Sequence, residues 1–192
     1  LHEVVDSLDA AGVDCVKLGG VQPNPGSSFV YKAIEAAREA RVDFLLAVGG
    51  GSVIDTAKAV AMGAPYGGDF LDFYRGKPVE EVLPLGVVLT IPAAGSEGSP
   101  NTVITDEENK IKKGTKADCL RPQFAILNPQ LTFTLPKYQS ACGISDMMSH
   151  ILERYFSKTP DNAVTDRMCE AVLLAVKDVA MRVIIDNEGY QA

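Results

Sequence analysis

The feature that most constrains this chain is a junction. A continuous apolar segment from Asp43 to Val48 runs straight into Gly49, Gly50, Gly51 and Ser52, and a helical pattern from Val53 to about Met62 follows at once. The segment has no alternation of polar and apolar residues, which marks a strand covered on both faces, as in a parallel sheet. At the start of the following helix the first backbone N–H groups have no partner, and the helix dipole favours negative charge there. Three glycines remove the Cβ atoms that would keep a pyrophosphate away from those amides, and they also allow positive φ. The junction therefore reads as a phosphate cradle. A plain helix cap is the competing reading, because Ser52 is expected at the N-cap with Asp55 three residues on, as in a capping box. The turn matches neither GxGxxG nor the Walker A pattern, so by itself it leaves both readings open.

The remaining elements extend this theme as far as residue 127. Leu1 to Ala11 reads as a helix ended by Gly12, Asp14 to Leu18 as a short strand, and Gly19 to Ser28 as a loop. Val30 to Arg41 is a second helix. Strands are expected at Leu85 to Thr90, Asn101 to Thr105 and Phe124 to Leu127, the last two flanking a mixed charged loop with Asp106, Glu107, Glu108, Lys112, Lys113 and Lys116. Alternation of strands and helices predicts an α/β fold with an open, mostly parallel sheet. From Pro136 the texture changes. Two long helical patterns, Pro136 to Ser157 and Asn162 to about Ile185, are separated by Lys158, Thr159 and Pro160, and no strand pattern follows. The expected organisation is an α/β dinucleotide-binding domain over residues 1–132, then the start of an all-helical, metal-binding domain over 133–192.

Within the first long helix, Asp146 and His150 stand four residues apart and project from one face. A carboxylate oxygen and an imidazole nitrogen can thus meet one metal ion. The competing reading is a solvated Asp beside a hydrogen-bonded His. Met147, Met148, Ile151 and Leu152 predict apolar surroundings, a costly place for an unpaired carboxylate. Two ligands do not complete a site, and the only other histidine is His2; Glu153 is the nearest further carboxylate. Composition removes other classes. The net charge of −7 gives no source for the phosphate contacts of nucleic-acid binding. Cys15, Cys119, Cys142 and Cys169 form no CxxC pair, which argues against a zinc ribbon, a thioredoxin-like site or a secreted disulfide scaffold. No apolar run approaches the ~20 residues that span a bilayer, and no signal core opens the chain, so a cytoplasmic location is expected.

Together these segments resemble the iron-containing (group III) alcohol dehydrogenases. Val48 to Lys58 looks like that family's GGGSxxDxxK signature, and Thr90 to Glu97 resembles its second cofactor loop. Leu127-Asn128-Pro129, Thr134 to Pro136 and Gly143 to Tyr155 are similar to its entry into the metal domain, and Asn24-Pro25 fits as well. The nearest branch is that of the NAD(P)H-dependent butanol dehydrogenases. The resemblance covers essentially the whole chain in order, and the family pattern extends past both of its ends, so the chain reads as a fragment.

The resemblance implies NAD(H) or NADP(H) as cofactor, with Gly50, Gly51 and Ser52 at the pyrophosphate and Asp55 lining the nicotinamide side. Thr90 and Ser99 match polar contacts in the second loop, and Lys112 a lysine that reaches the cofactor ribose. Asp146 and His150 match the first two of four metal ligands, for Fe²⁺ with Zn²⁺ possible. Hydride transfer to or from a short-chain alcohol or aldehyde in a homodimer is the implied activity. A glycerol dehydrogenase, a dehydroquinate synthase-like enzyme, or a catalytically silent nucleotide-binding fragment are the alternatives. One residue departs from the pattern: Ala94 stands where the family usually has Thr.

Overall fold

The computed structural model describes residues 2–185. In chain order the elements are α1 (His2–Ala10), α2 (Ser27–Glu39), β1 (Leu45–Gly49), α3 (Gly51–Gly63), α4 (Leu71–Tyr74), β2 (Leu85–Leu89), β3 (Asn101–Asp106), β4 (Ile111–Lys116), β5 (Phe124–Ile126), α5 (Lys137–Tyr155) and α6 (Ala163–Ile185). They form two compact units. The first runs to Leu89 and resumes from Ser96 to Ile126; the second comprises Thr90–Gly95 and the chain from Leu127 onward.

The first unit is α/β. Its parallel sheet has the order β1-β2-β5, with Leu45 opposite Leu85 and Gly86 opposite Phe124. Every residue of the central strand β2 is buried, which is why its sequence, LGVVL, carries no alternation. Gly86 is glycine because the Phe124 ring lies across it: an added Cβ would come within 2.4 Å of that ring. Helix α3 is the hub. Ile54 packs with Ala47, Leu85, Val87 and Leu89, while Ala59, Val60 and Met62 join Val30, Ile34, Phe70 and Tyr74 in a second cluster.

Three expectations are corrected. Residues 14–18 form no strand: the stretch has no ladder partner among the described residues, and Val16 stays 63% exposed. A strand is held by its neighbour's hydrogen bonds, which no propensity supplies alone. Conversely, the charged segment read as a loop contains β4, which pairs antiparallel with β3 from Asn101↔Lys116 to Asp106↔Ile111. Its side chains are nearly all exposed, so no apolar face announces it. Helix α2 begins at Ser27, three residues early, because the β3–β4 turn caps it. Ser28 N–H donates to Glu107 Oε2 at 2.8 Å, and Glu107 N–H donates to Ser27 Oγ at 3.2 Å.

In the second unit, Asn128 Oδ1 accepts from Gln130 N–H at 3.1 Å, turning the chain at Asn128-Pro129 before α5. Helices α5 and α6 then pair, and no strand occurs among this unit's described residues.

Candidate cofactor and metal sites

The glycine turn sits where β1 ends and α3 begins. Gly50 is the N-cap, with extended backbone (φ −94°, ψ −168°), and the helix starts at Gly51. Ser52 is therefore inside the first turn and is not the cap, and no side chain caps this end. Neither Gly50 nor Gly51 takes a positive φ; the start is set by the first helical hydrogen bonds, which Val53 N–H and Ile54 N–H donate to Gly50 O at 3.0 and 3.1 Å, two residues ahead of Ser52. The Gly51 and Ser52 amides precede any intrahelical acceptor. The glycines also differ in purpose. A Cβ on Gly49 would lie 2.6 Å from Val53 Cγ2 and 2.7 Å from Val53 Cβ, so Gly49 permits close strand–helix packing. One on Gly51 would meet nothing within 4 Å. The side of Gly51 where a Cβ would stand is thus open, at the carboxyl end of a parallel strand, where α/β sheets place their ligands.

Asp55 turns from the turn to the loop beyond β2. Its Oδ1 accepts from Ser96 Oγ at 2.7 Å and its Oδ2 from Val103 N–H at 3.2 Å. Burial raises its pKa above the usual carboxylate range, against the Ser96 and Val103 hydrogen bonds and the Lys58 and Lys112 charges. Both oxygens are thus engaged within the unit, a structural task the sequence does not reveal. The residues missed are Lys58 and Ser96. Lys58 is fully buried, and burial pushes its pKa down to about 8 while the Asp55 and Glu97 carboxylates pull it up. A lone lysine in the apolar run Ala57 to Met62 was the available signal.

Ser99 belongs to the same cluster, its carbonyl 2.8 Å and its hydroxyl 3.4 Å from Lys58 Nζ. Lys112 is exposed on β4 and donates to Asn24 Oδ1 at 2.9 Å, Asn24 being held at φ 55°. Thr90 follows β2 directly and is partly buried.

The helical unit carries the metal candidates. His150 Nε2 lies 3.8 Å from Asp146 Oδ1, and His150 Nδ1 lies 3.6 Å from Glu153 Oε2. The apolar surroundings expected for this pair are corrected: the Asp146 and His150 side chains are 46% and 39% exposed, because neighbours one position along a helix point about 100° away. One carboxylate and one imidazole nitrogen, a turn apart and facing each other, fit two positions on a divalent ion. Among the described residues no group of three or more His, Cys, Asp or Glu side chains could hold a metal. A separate cleft of about 400 Å³ in this unit, bordered by Ile91, Pro92, Ile144 and Met147, has no charged side chain in its wall.

Comparison with known proteins assigns the class. The model of the iron-containing alcohol dehydrogenases matches residues 1–129, and the chain belongs to that family. It is 45% identical over 190 residues to the probable NADH-dependent butanol dehydrogenase 1 of Bacillus subtilis, covering 98% of this chain and 49% of that protein. It is 36% identical to the NADPH-dependent aldehyde reductase YqhD of Escherichia coli, over 99% of this chain and 50% of that one. The crystal structure of NADH-dependent butanol dehydrogenase A from Thermotoga maritima superposes with a TM-score of 0.93 at 42% identity, covering 99% of this chain and 48% of that chain. The chain spans about half the length of the relatives it matches. No described helix is long and apolar enough to cross a membrane.

Proposed function

We propose that this protein belongs to an enzyme that transfers hydride between NAD(H) or NADP(H) and a short-chain alcohol or aldehyde of the butanol/butanal type. The observation that carries the reading is the helix start at the end of β1, where the Gly51 and Ser52 amides have no intrahelical acceptor and a Cβ on Gly51 would meet nothing within 4 Å. Backbone N–H groups and the helix dipole favour a pyrophosphate there. Gly50, Gly51 and Ser52 would hold it. Ser99 and Thr90 would line the path of the dinucleotide, Lys112 would reach its ribose, and Asp55 would border the nicotinamide side. Relatives named for NADH and for NADPH support the cofactor class.

Asp146 and His150 would hold a divalent metal, Fe²⁺ or Zn²⁺, whose Lewis acidity polarises the substrate oxygen when bound. Glu153, facing His150 Nδ1, would orient the imidazole so that Nε2 keeps its lone pair for the ion. The α/β unit thus serves the cofactor and the helical unit the metal, in a cytoplasmic homodimer. Elemental analysis and butanal reduction test this together. The intact protein should hold about one divalent ion per chain, and Asp146→Ala should lose the ion and the activity while still binding NADH. Full metal content in Asp146→Ala would refute the ligand assignment.

A further inference from the structure

Lys58 lies near the middle of α3, 0% exposed, in a helix whose other buried residues are apolar except Thr56. Packing alone would be met there by methionine or leucine, and burying an amino group is costly unless every N–H finds an acceptor. Each does. Lys58 Nζ donates to the carbonyl oxygens of Ser96 (2.7 Å), Ser99 (2.8 Å) and Asn101 (2.8 Å), with the Ser96 hydroxyl at 3.1 Å. A protonated lysine has three N–H donors, and three carbonyls take them, two in the loop after β2 and one at the first residue of β3. One turn earlier, Asp55 grips the same segment. Its carboxylate accepts from Ser96 Oγ and Val103 N–H, and its backbone carbonyl accepts from Thr102 Oγ1 at 2.9 Å. Beyond the loop, Arg121 Nη1 donates to Gly98 O at 2.7 Å. A Cβ on Gly98 would meet nothing within 4 Å, so the loop, too, presents open space.

We propose that Lys58 is a positioning residue for the dinucleotide: by holding the Ser96, Ser99 and Asn101 carbonyls against α3, it makes the loop after β2 and the glycine turn one rigid surface. The inference rests on the reading that this surface binds NAD(P)H. Lys58 itself touches no cofactor atom; it acts through the loop, so its loss frees the loop to move and leaves the turn's amides intact. The neighbouring charges are Asp55 on the same helix, Glu97 on the loop and Arg121 beyond it.

The test compares the intact protein with Lys58→Met and Lys58→Arg, using NADH and NADPH titration, steady-state kinetics, and amide hydrogen exchange over residues 96–101. Lys58→Met should weaken NADH binding by about tenfold, through the freed loop and not through a lost contact with the cofactor. It should speed exchange in 96–101 while α5 and α6 keep their protection. Saturating cofactor should restore most of kcat, so the effect falls on the cofactor KM. Lys58→Arg, which keeps the charge and the donors, should recover part of the affinity and of the protection. Should Lys58→Met not fold, Lys58→Gln keeps two donors and should show the same pattern at smaller amplitude. Parent-like NADH binding in a folded Lys58→Met, or exchange raised equally throughout the chain, would overturn the proposal. If the parent itself binds neither NADH nor NADPH, the cofactor reading has failed and the Lys58 proposal falls with it.

Discussion

Two glycines two residues apart should respond oppositely to a small added side chain. At Gly49 the new Cβ would lie 2.6–2.7 Å from Val53 Cγ2 and Cβ, about 1 Å inside the ~3.5–4.0 Å of an ordinary carbon contact. Val53 Cβ is fixed to the first turn of α3, so relief requires moving the helix against β1. Overpacking of this kind costs about 1–3 kcal/mol, and in a chain of this size that lowers Tm by roughly 2–12 °C. Gly51→Val meets open space instead, so its stability should stay within about 0.5 kcal/mol of the parent. It should, however, keep a pyrophosphate from the Gly51 amide. Losing one hydrogen bond to a charged group is worth about 1.5–3 kcal/mol, or roughly 10- to 150-fold in affinity. Thermal melts and NADH fluorescence titrations of both variants decide the matter. A Gly51→Val protein that binds NADH like the parent refutes the phosphate assignment, and a Gly49→Ala protein that melts with the parent refutes the packing argument.

Two further outcomes follow from buried chemistry and from one departure in the loop. Lys58 has a folded pKa of about 8 against an ordinary 10.5, so raising the pH through 8 deprotonates the folded form first and stability rises. That contribution is complete above the ordinary pKa and lost as the pH falls through about 8. In urea titrations the stability gap between parent and Lys58→Met should therefore widen by about 1–3 kcal/mol from pH 7.5 to 9.5, and a constant gap would show that Lys58 is not titrating there. Ala94 is exposed, and Ala94→Thr should add a single neutral hydrogen bond to bound cofactor. That contributes about 0.5–1.5 kcal/mol, a roughly three- to tenfold tightening by titration; an inactive parent with an active Ala94→Thr would instead mark the residue as disabling.

What the sequence determined by itself is whatever depends on short-range pattern. The run Asp43 to Val48 called for a strand, found at Leu45–Gly49, though with only Ala47 and Gly49 buried and Leu45, Leu46 and Val48 half-buried, and the glycines after it called for the helix start found at Gly51. The spacing of Asp146 and His150 placed both side chains on one face of a helix. Local propensity and side-chain periodicity govern these features, and both can be read along the chain. Tertiary structure decided the rest because the partners are distant in sequence or belong to the backbone. Residues 14–18 have strand-like composition but no ladder partner among the described residues, whereas β4 is charged and exposed yet is a strand because β3 supplies its ladder. Ser52 lies past the cap because the first helical hydrogen bonds return to the Gly50 carbonyl, two residues earlier. Lys58 could not have been assigned a task from the sequence, since its acceptors are main-chain carbonyls about forty residues away, and a carbonyl has no letter in the sequence.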